Sequence, residues 1–152
     1  DTGQQVRSTR VDELLQREAD ARMLTAGYYA GFQDKTNRAK NDFLAFLLEA
    51  RRQGKRVAAY GAAAKGNTLM NYAGVRPDLI SFVVDRNPAK QGKYMPGSRI
   101  PIVDESLLEN EKPDFVVILP WNLKHEVMRQ LDYIRTWGGR FVTAVPELRT
   151  AS

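Results

Sequence analysis

Residues 57–68 read VAAYGAAAKGNT. An apolar run of strand character ends at Gly61, and a helical pattern opens near Gly66-Asn67 and closes at Gly74. A strand that runs through a glycine turn into a helix is the opening move of an open α/β sheet. In such sheets ligands sit beyond the carboxyl ends of the strands, where backbone N–H groups at a helix start favour phosphate or carboxylate.

Working outward, the same rhythm repeats downstream. LISFVVD ends in Asp85 and is followed by a Gly/Pro/Lys loop (RNPAKQGKYMPGSR). The short run IPIV comes next, then DESLLENEK as a helix with Asp104 as its cap. PDFVVILPW reads as a buried strand, NLKHEVMRQLDYIRTWGG as a helix from an Asn122 cap to Gly138, and RFVTAVP as a last strand. β and α units in alternation, with apolar strands, predict a parallel sheet covered by helices.

Upstream lies a different pattern. Residues 1–9 form a polar lead-in, and Thr9 with Asp12 starts a helix over VDELLQREADARM. After an interruption around Gly27, a longer helix is marked by Tyr28, Phe32, Ala39, Phe43, Phe46, Leu47 and Ala50 at spacings of three and four. It ends at Gly54. The expected architecture is a Rossmann-like α/β domain over residues 55–152, its mostly parallel sheet flanked by helices. A two-helix extension over residues 1–54 precedes it.

The 152 residues, 43% hydrophobic and 27% charged, suit one soluble domain with a real core. Zero Cys excludes disulfides, thiolate metal sites and Cys nucleophiles, and one His excludes two-histidine metal motifs. No apolar run approaches the ~20 residues needed to cross a bilayer. The polar start (DTGQQVRSTR) carries no signal-peptide pattern, so a cytoplasmic location without membrane association is expected. The first residue is Asp1 rather than Met, which fits a piece of a longer protein. The net charge of +5 is modest, and the Arg51-Arg52-Lys55-Arg56 cluster suits the negative end of a helix rather than a nucleic acid.

Named phosphate motifs fit the glycine turn only in part. Ala63 replaces the middle glycine of G-x-G-x-x-G, and Asn67 stands where a Walker A sequence has its Lys. Spacing alone leaves a phosphate cradle and a plain tight turn both open. Asp85 lies 24 residues after Gly61, where a dinucleotide domain keeps its ribose-binding acid, but a cap ahead of Asn87-Pro88 is the competing role. Lys65, Arg86, Lys90, Lys93 and Arg99 converge on one sheet edge if the architecture holds, which suggests an anionic ligand. Trp121 and Asn122 stand at a third strand end. Capping and core packing are their commoner roles, ring stacking and polar contact the functional ones. No nucleophile elbow and no paired-carboxylate pattern is present.

Longer strings carry a more specific signal. YGAAAKGNTLMNYAG, VVDRNPAKQGKYMPGSRIPI, KPDFVVILPWNLKHEVMRQL and WGGRF occur in that order, and the region from about Arg10 to Pro146 resembles the C-terminal domain of bacterial SAM-dependent C-methyltransferases. Those enzymes are similar to the ones that methylate a sugar carbon in nucleotide-activated deoxysugars. The resemblance implies a parent with a Cys-rich zinc-binding segment, a middle SAM-binding domain and this C-terminal domain. SAM and zinc are then expected in the other two parts, and no cofactor in this one. In the parent a base removes a proton beside a sugar keto group and the enolate takes the SAM methyl.

This chain is expected to be inactive alone, to hold a dTDP-sugar-like nucleotide-sugar, and to pack against the middle domain. By resemblance, Gly61, Lys65, Gly66, Asn67 and Thr68 would cradle phosphates. Asp85, Arg86, Asn87, Pro88, Lys90 and Gly92 would line the pocket beside them, and Pro120, Trp121 and Asn122 would close its third side. No residue is assigned a catalytic role. The alternatives are a free-standing nucleotide- or dinucleotide-binding module and a pure interdomain interaction domain.

Overall fold

A computed structural model describes residues 7–151. The polar lead-in falls partly outside these residues. The described chain forms two compact units divided between Asn37 and Arg38.

In the first unit, α1 spans Thr9–Asp20 and the one-turn α2 spans Ala26–Tyr29. The cap of α1 is Ser8, one residue earlier than the Thr9-Asp12 reading, because the Ser8 hydroxyl accepts the Arg10 N–H at 3.3 Å. Val11, Leu14 and Leu15 share one face of α1, and all three are exposed. The helix α3, Phe32–Arg52, crosses the division, and its buried residues are Phe43, Leu47 and Ala50. The apolar stripe read from the sequence is therefore packed in its second half, while Tyr28 and Phe32 at its start are exposed.

The second unit is built on a six-stranded sheet. Its strands are β1 (Val57–Tyr60), β2 (Val83–Val84), β3 (Ile102–Val103), β4 (Phe115–Ile118), β5 (Arg140–Thr143) and β6 (Arg149–Ala151). The order is β3-β2-β1-β4-β5-β6, with β6 antiparallel and every other pairing parallel. In the centre, Ala59 lies between Val83 and Val117. This is the strand order of a doubly wound Rossmann sheet, here with β6 antiparallel, and the reversal between β1 and β4 is its switch point. The sequence did not signal β6, which is short and carries exposed Arg149 and Thr150.

Strand alternation sends side chains to two cores. Val57, Ala59, Val83, Val117 and Val142 pack with Phe43 and Leu47 of α3 and with Met70 of α4 (Ala64–Tyr72). Ala58, Val84, Val116, Ile118 and Phe141 pack with Leu108 of α5 (Leu107–Glu111) and Val127 of α6 (Lys124–Gln130). The central strands are buried on both faces, which is why they read as unbroken apolar runs.

Three helix boundaries differ from the sequence reading. α4 opens at Ala64, about two residues before the Gly66-Asn67 start read from the sequence, so Lys65 lies on the helix as well; Ala64 is the strongest helix former at hand. α5 begins at Leu107, with the Asp104 carboxylate accepting the Ser106 N–H at 2.9 Å in the turn before it. The long helix expected over Asn122–Gly138 is broken into a 3-10 turn (Trp121–Leu123), α6, and a second 3-10 stretch (Asp132–Trp137). Tightening the last stretch carries the buried Ile134 onto the core beside Leu131.

Candidate functional site

The turn after β1 is shaped by two close approaches. Gly61 has φ +88°, and a Cβ there would lie 2.7 Å from Pro120 Cδ. Gly66 is buried against Leu119, where an added Cβ would sit 2.5 Å from the Leu119 Cβ. Both glycines therefore let the start of α4 close onto the end of β4. Ala63 holds the N-cap position of α4 and offers no side-chain oxygen, so the first N–H groups of the helix stay available to an anion.

Asp85, at the end of β2, is the hub of the next layer. Its Oδ2 accepts the Ala62 N–H at 2.8 Å and the Lys90 ammonium at 3.0 Å, while its Oδ1 accepts the Asn87 N–H at 2.9 Å. Lys90 also donates to the Ala62 carbonyl at 3.0 Å. Burial pushes the Asp85 carboxyl up, but the Asn87, Lys90 and Ala62 donors outweigh it and hold the group below the usual carboxylate range. The acid that spacing placed at a ribose position thus has its acceptor oxygens directed at the chain's own donors.

At the end of β4, Asn122 does not cap a helix. Its Oδ1 accepts the Lys65 ammonium, which also lies 4.9 Å over the Trp121 ring. Lys65, Trp121 and Asn122 form a clasp across the switch point, with Pro120 buried beneath it.

The remaining nominated residues scatter. Arg86 is exposed and donates to Gln130 Oε1 at 3.2 Å, toward α6. Asn87 Oδ1 accepts the Ala89 N–H at 3.0 Å, and Pro88 is exposed in the same turn. Gly92, also exposed, donates its N–H to the Ile102 carbonyl at 2.9 Å. Thr68 bonds back to the Ala64 carbonyl at 3.2 Å. Of the five basic residues expected to converge, Lys90 and Lys93 line one cavity, while Lys65 and Arg86 have partners on other elements.

That cavity, of about 390 Å³, lies between the first turn of α4 and residues 89–96. Asn67 and Tyr94 line it as well. Tyr94 was missed by sequence reasoning, although an aromatic between Lys93 and Met95-Pro96 in a polar loop was its visible signal. A second cavity, of about 300 Å³, lies at the opposite end of the strands beside the Arg56–Glu111 ion pair.

A polar network on the α6 face was missed too. Gln130 Nε2 donates to the Tyr60 hydroxyl at 2.9 Å and to Glu105 at 2.6 Å. Burial raises the Tyr60 pKa, and the Glu105 charge adds to it against the pull of the Gln130 bond. Burial likewise raises Tyr133, with Glu105 and Glu109 beside it.

The profile of the C-methyltransferase C-terminal domain matches residues 1–146. The chain belongs to that family. It is also 34% identical over 142 residues to the C-methyltransferase NovU of Streptomyces niveus, an alignment covering 93% of this chain and 34% of that protein. The chain therefore spans about a third of its curated relative's length. In this C-methyltransferase C-terminal domain, no cluster of three or more His, Cys, Asp or Glu among the described residues could hold a metal ion. No helix among them is long and apolar enough to cross a membrane.

Proposed function

We propose that this domain is the substrate-holding and scaffolding part of a SAM-dependent C-methyltransferase acting on a nucleotide-activated deoxysugar. The observation that carries this reading is the uncapped start of α4 with Lys65 beside it, at the carboxyl ends of β1 and β4. An N-terminal helix end and an ammonium together suit a diphosphate. The residues proposed for this site all lie within residues 55–152.

The residues of this chain do not fit the zinc or the SAM of such a parent. With no Cys, the chain cannot build a thiolate zinc site. Asp85 is spent on Ala62, Asn87 and Lys90 rather than left open to ribose hydroxyls. The same fact weighs against a free-standing dinucleotide module. Methyl transfer and the proton-removing base therefore belong to other domains of the parent, and this chain alone is inactive. The exposed Val11, Leu14 and Leu15 support packing of the extension against the middle, SAM-binding domain. A cytoplasmic location without nucleic-acid partners completes the reading.

Calorimetric titration of the chain with dTDP, UDP, SAM and NAD at low salt tests it. A nucleoside diphosphate binds and Lys65→Glu weakens it at least tenfold if the reading holds. Binding of NAD or SAM in place of the diphosphates, or no binding by dTDP and UDP, overturns it.

A further inference from the structure

Two directions lead away from the start of α4. One enters the crevice between β1 and β4, where nucleotides lie in most sheets of this order. The other passes sideways, between α4 and the segment that follows β2. We infer that a nucleoside diphosphate held at α4 places its nucleoside in the sideways cavity, beside Tyr94, and leaves the β1–β4 crevice empty. The inference rests on the substrate-holding reading above and deepens it.

The crevice is shut by the chain itself. Pro120 presses on Gly61 so closely that no Cβ fits between them. Above that contact the Lys65 ammonium covers the Trp121 ring and is bonded to Asn122. A base seeking the Trp121 face meets a cation already stacked on it, and would have to break the Lys65–Asn122 bond as well.

The sideways cavity has the opposite character. Its volume of about 390 Å³ lies within the roughly 300–1,000 Å³ of small-molecule sites. Ala62, Ala63, Met95 and Ile102 give it apolar walls, and Ala63 and Ala64 place it directly beside the first turn of α4. Tyr94 is 65% exposed, so its ring can cover a flat heterocycle without unpacking a core. Asn67 Oδ1 is buried and has no hydrogen-bond partner among the described residues. A ring N–H or a ribose hydroxyl is the kind of donor that atom lacks. Lys93 also lines the cavity, and its ammonium makes no ion pair or hydrogen bond among the described residues, so its charge can be met by a phosphate.

The test uses the ¹⁵N-labelled chain, with UDP and inorganic pyrophosphate as probes. UDP is expected to shift the amide resonances of Ala63, Asn67, Lys93 and Tyr94. Tyr94→Ala should weaken UDP about tenfold while leaving pyrophosphate binding and the thermal midpoint unchanged. Trp121→Ala should not weaken UDP. If UDP binds but its shifts are confined to Gly61, Trp121 and Asn122, and Trp121→Ala rather than Tyr94→Ala weakens it, this inference falls and the substrate-holding reading stands. If neither probe binds the unsubstituted chain, both fall together.

Discussion

The Asp85 carboxylate accepts the backbone N–H of Ala62 at 2.8 Å, tying the end of β2 to the turn after β1 across 23 residues of chain. That bond fixes the turn on which α4 and the candidate site are set. Removing the acceptor leaves a partly buried Ala62 N–H and the Lys90 ammonium without it. Asp85→Ala is expected to lower the unfolding free energy by about 1–3 kcal/mol. Urea denaturation followed by circular dichroism reads this directly, and a midpoint equal to that of the unsubstituted chain refutes the structural role.

The same carboxylate gives a pH dependence of known sign. Its folded-state pKa is depressed, so on acidification the unfolded chain takes up the proton first. The stability it contributes is complete above the ordinary value of about 4 and is lost as pH falls through the lowered folded value. Asp114 acts in the same direction: burial pushes it up, but the Arg56 N–H and the Lys55 ammonium bring it lower. Urea midpoints should hold from neutral pH to about 5 and fall below about 4, with a shallower fall in Asp85→Asn. An equally steep fall in that variant contradicts the account.

Gly66 permits the closest helix–strand contact of the site. In Gly66→Ala the new methyl meets the Leu119 Cβ, which is fixed by the backbone directly after β4 and cannot rotate away. A loss of about 1–3 kcal/mol is expected, as in other overpacked sites, despite the higher helix propensity of Ala. A gain in stability on thermal melting would show that α4 stands off β4.

The Lys65–Asn122 bond is exposed and should matter to ligand, not to folding. Asn122→Ala is expected to change stability by less than about 0.5 kcal/mol. Thermal midpoints of the two proteins side by side are enough to decide it, and a drop of many degrees would make the clasp structural.

Along α3, packing begins partway. Phe43→Ala should cost about 3–5 kcal/mol, since the ring is fully buried. Phe32→Ala, at a 66% exposed position, should cost under about 0.5 kcal/mol in this chain. Equal costs for the two would mean that the helix is buried along its whole length.

The order of strands and helices from Gly54 through β5 was legible because central parallel strands are apolar on both faces and glycines close the helices. Boundaries were less so. The break at Leu131 had no Pro or Gly to announce it, and it follows from where Ile134 must reach. Within the candidate site, Lys65, Trp121 and Asn122 were nominated from the ends of two strands, and the fold brings them together. Tyr94 and Gln130 were not, since each acquires its neighbours from segments remote in the chain.

By itself the sequence determined the alternation of strands and helices, the turn at Gly61, the absence of thiol chemistry and the family, because these depend on local pattern and residue type. Which way each polar side chain faces was decided only by the tertiary structure. Asp85 looks equally like a ribose ligand and a turn former until β2 is laid beside β1, and only then does the Ala62 N–H come within bonding distance. A carboxylate's role is set by the donors around it, and the donor that settles this one, the Ala62 N–H, comes from a segment 23 residues away.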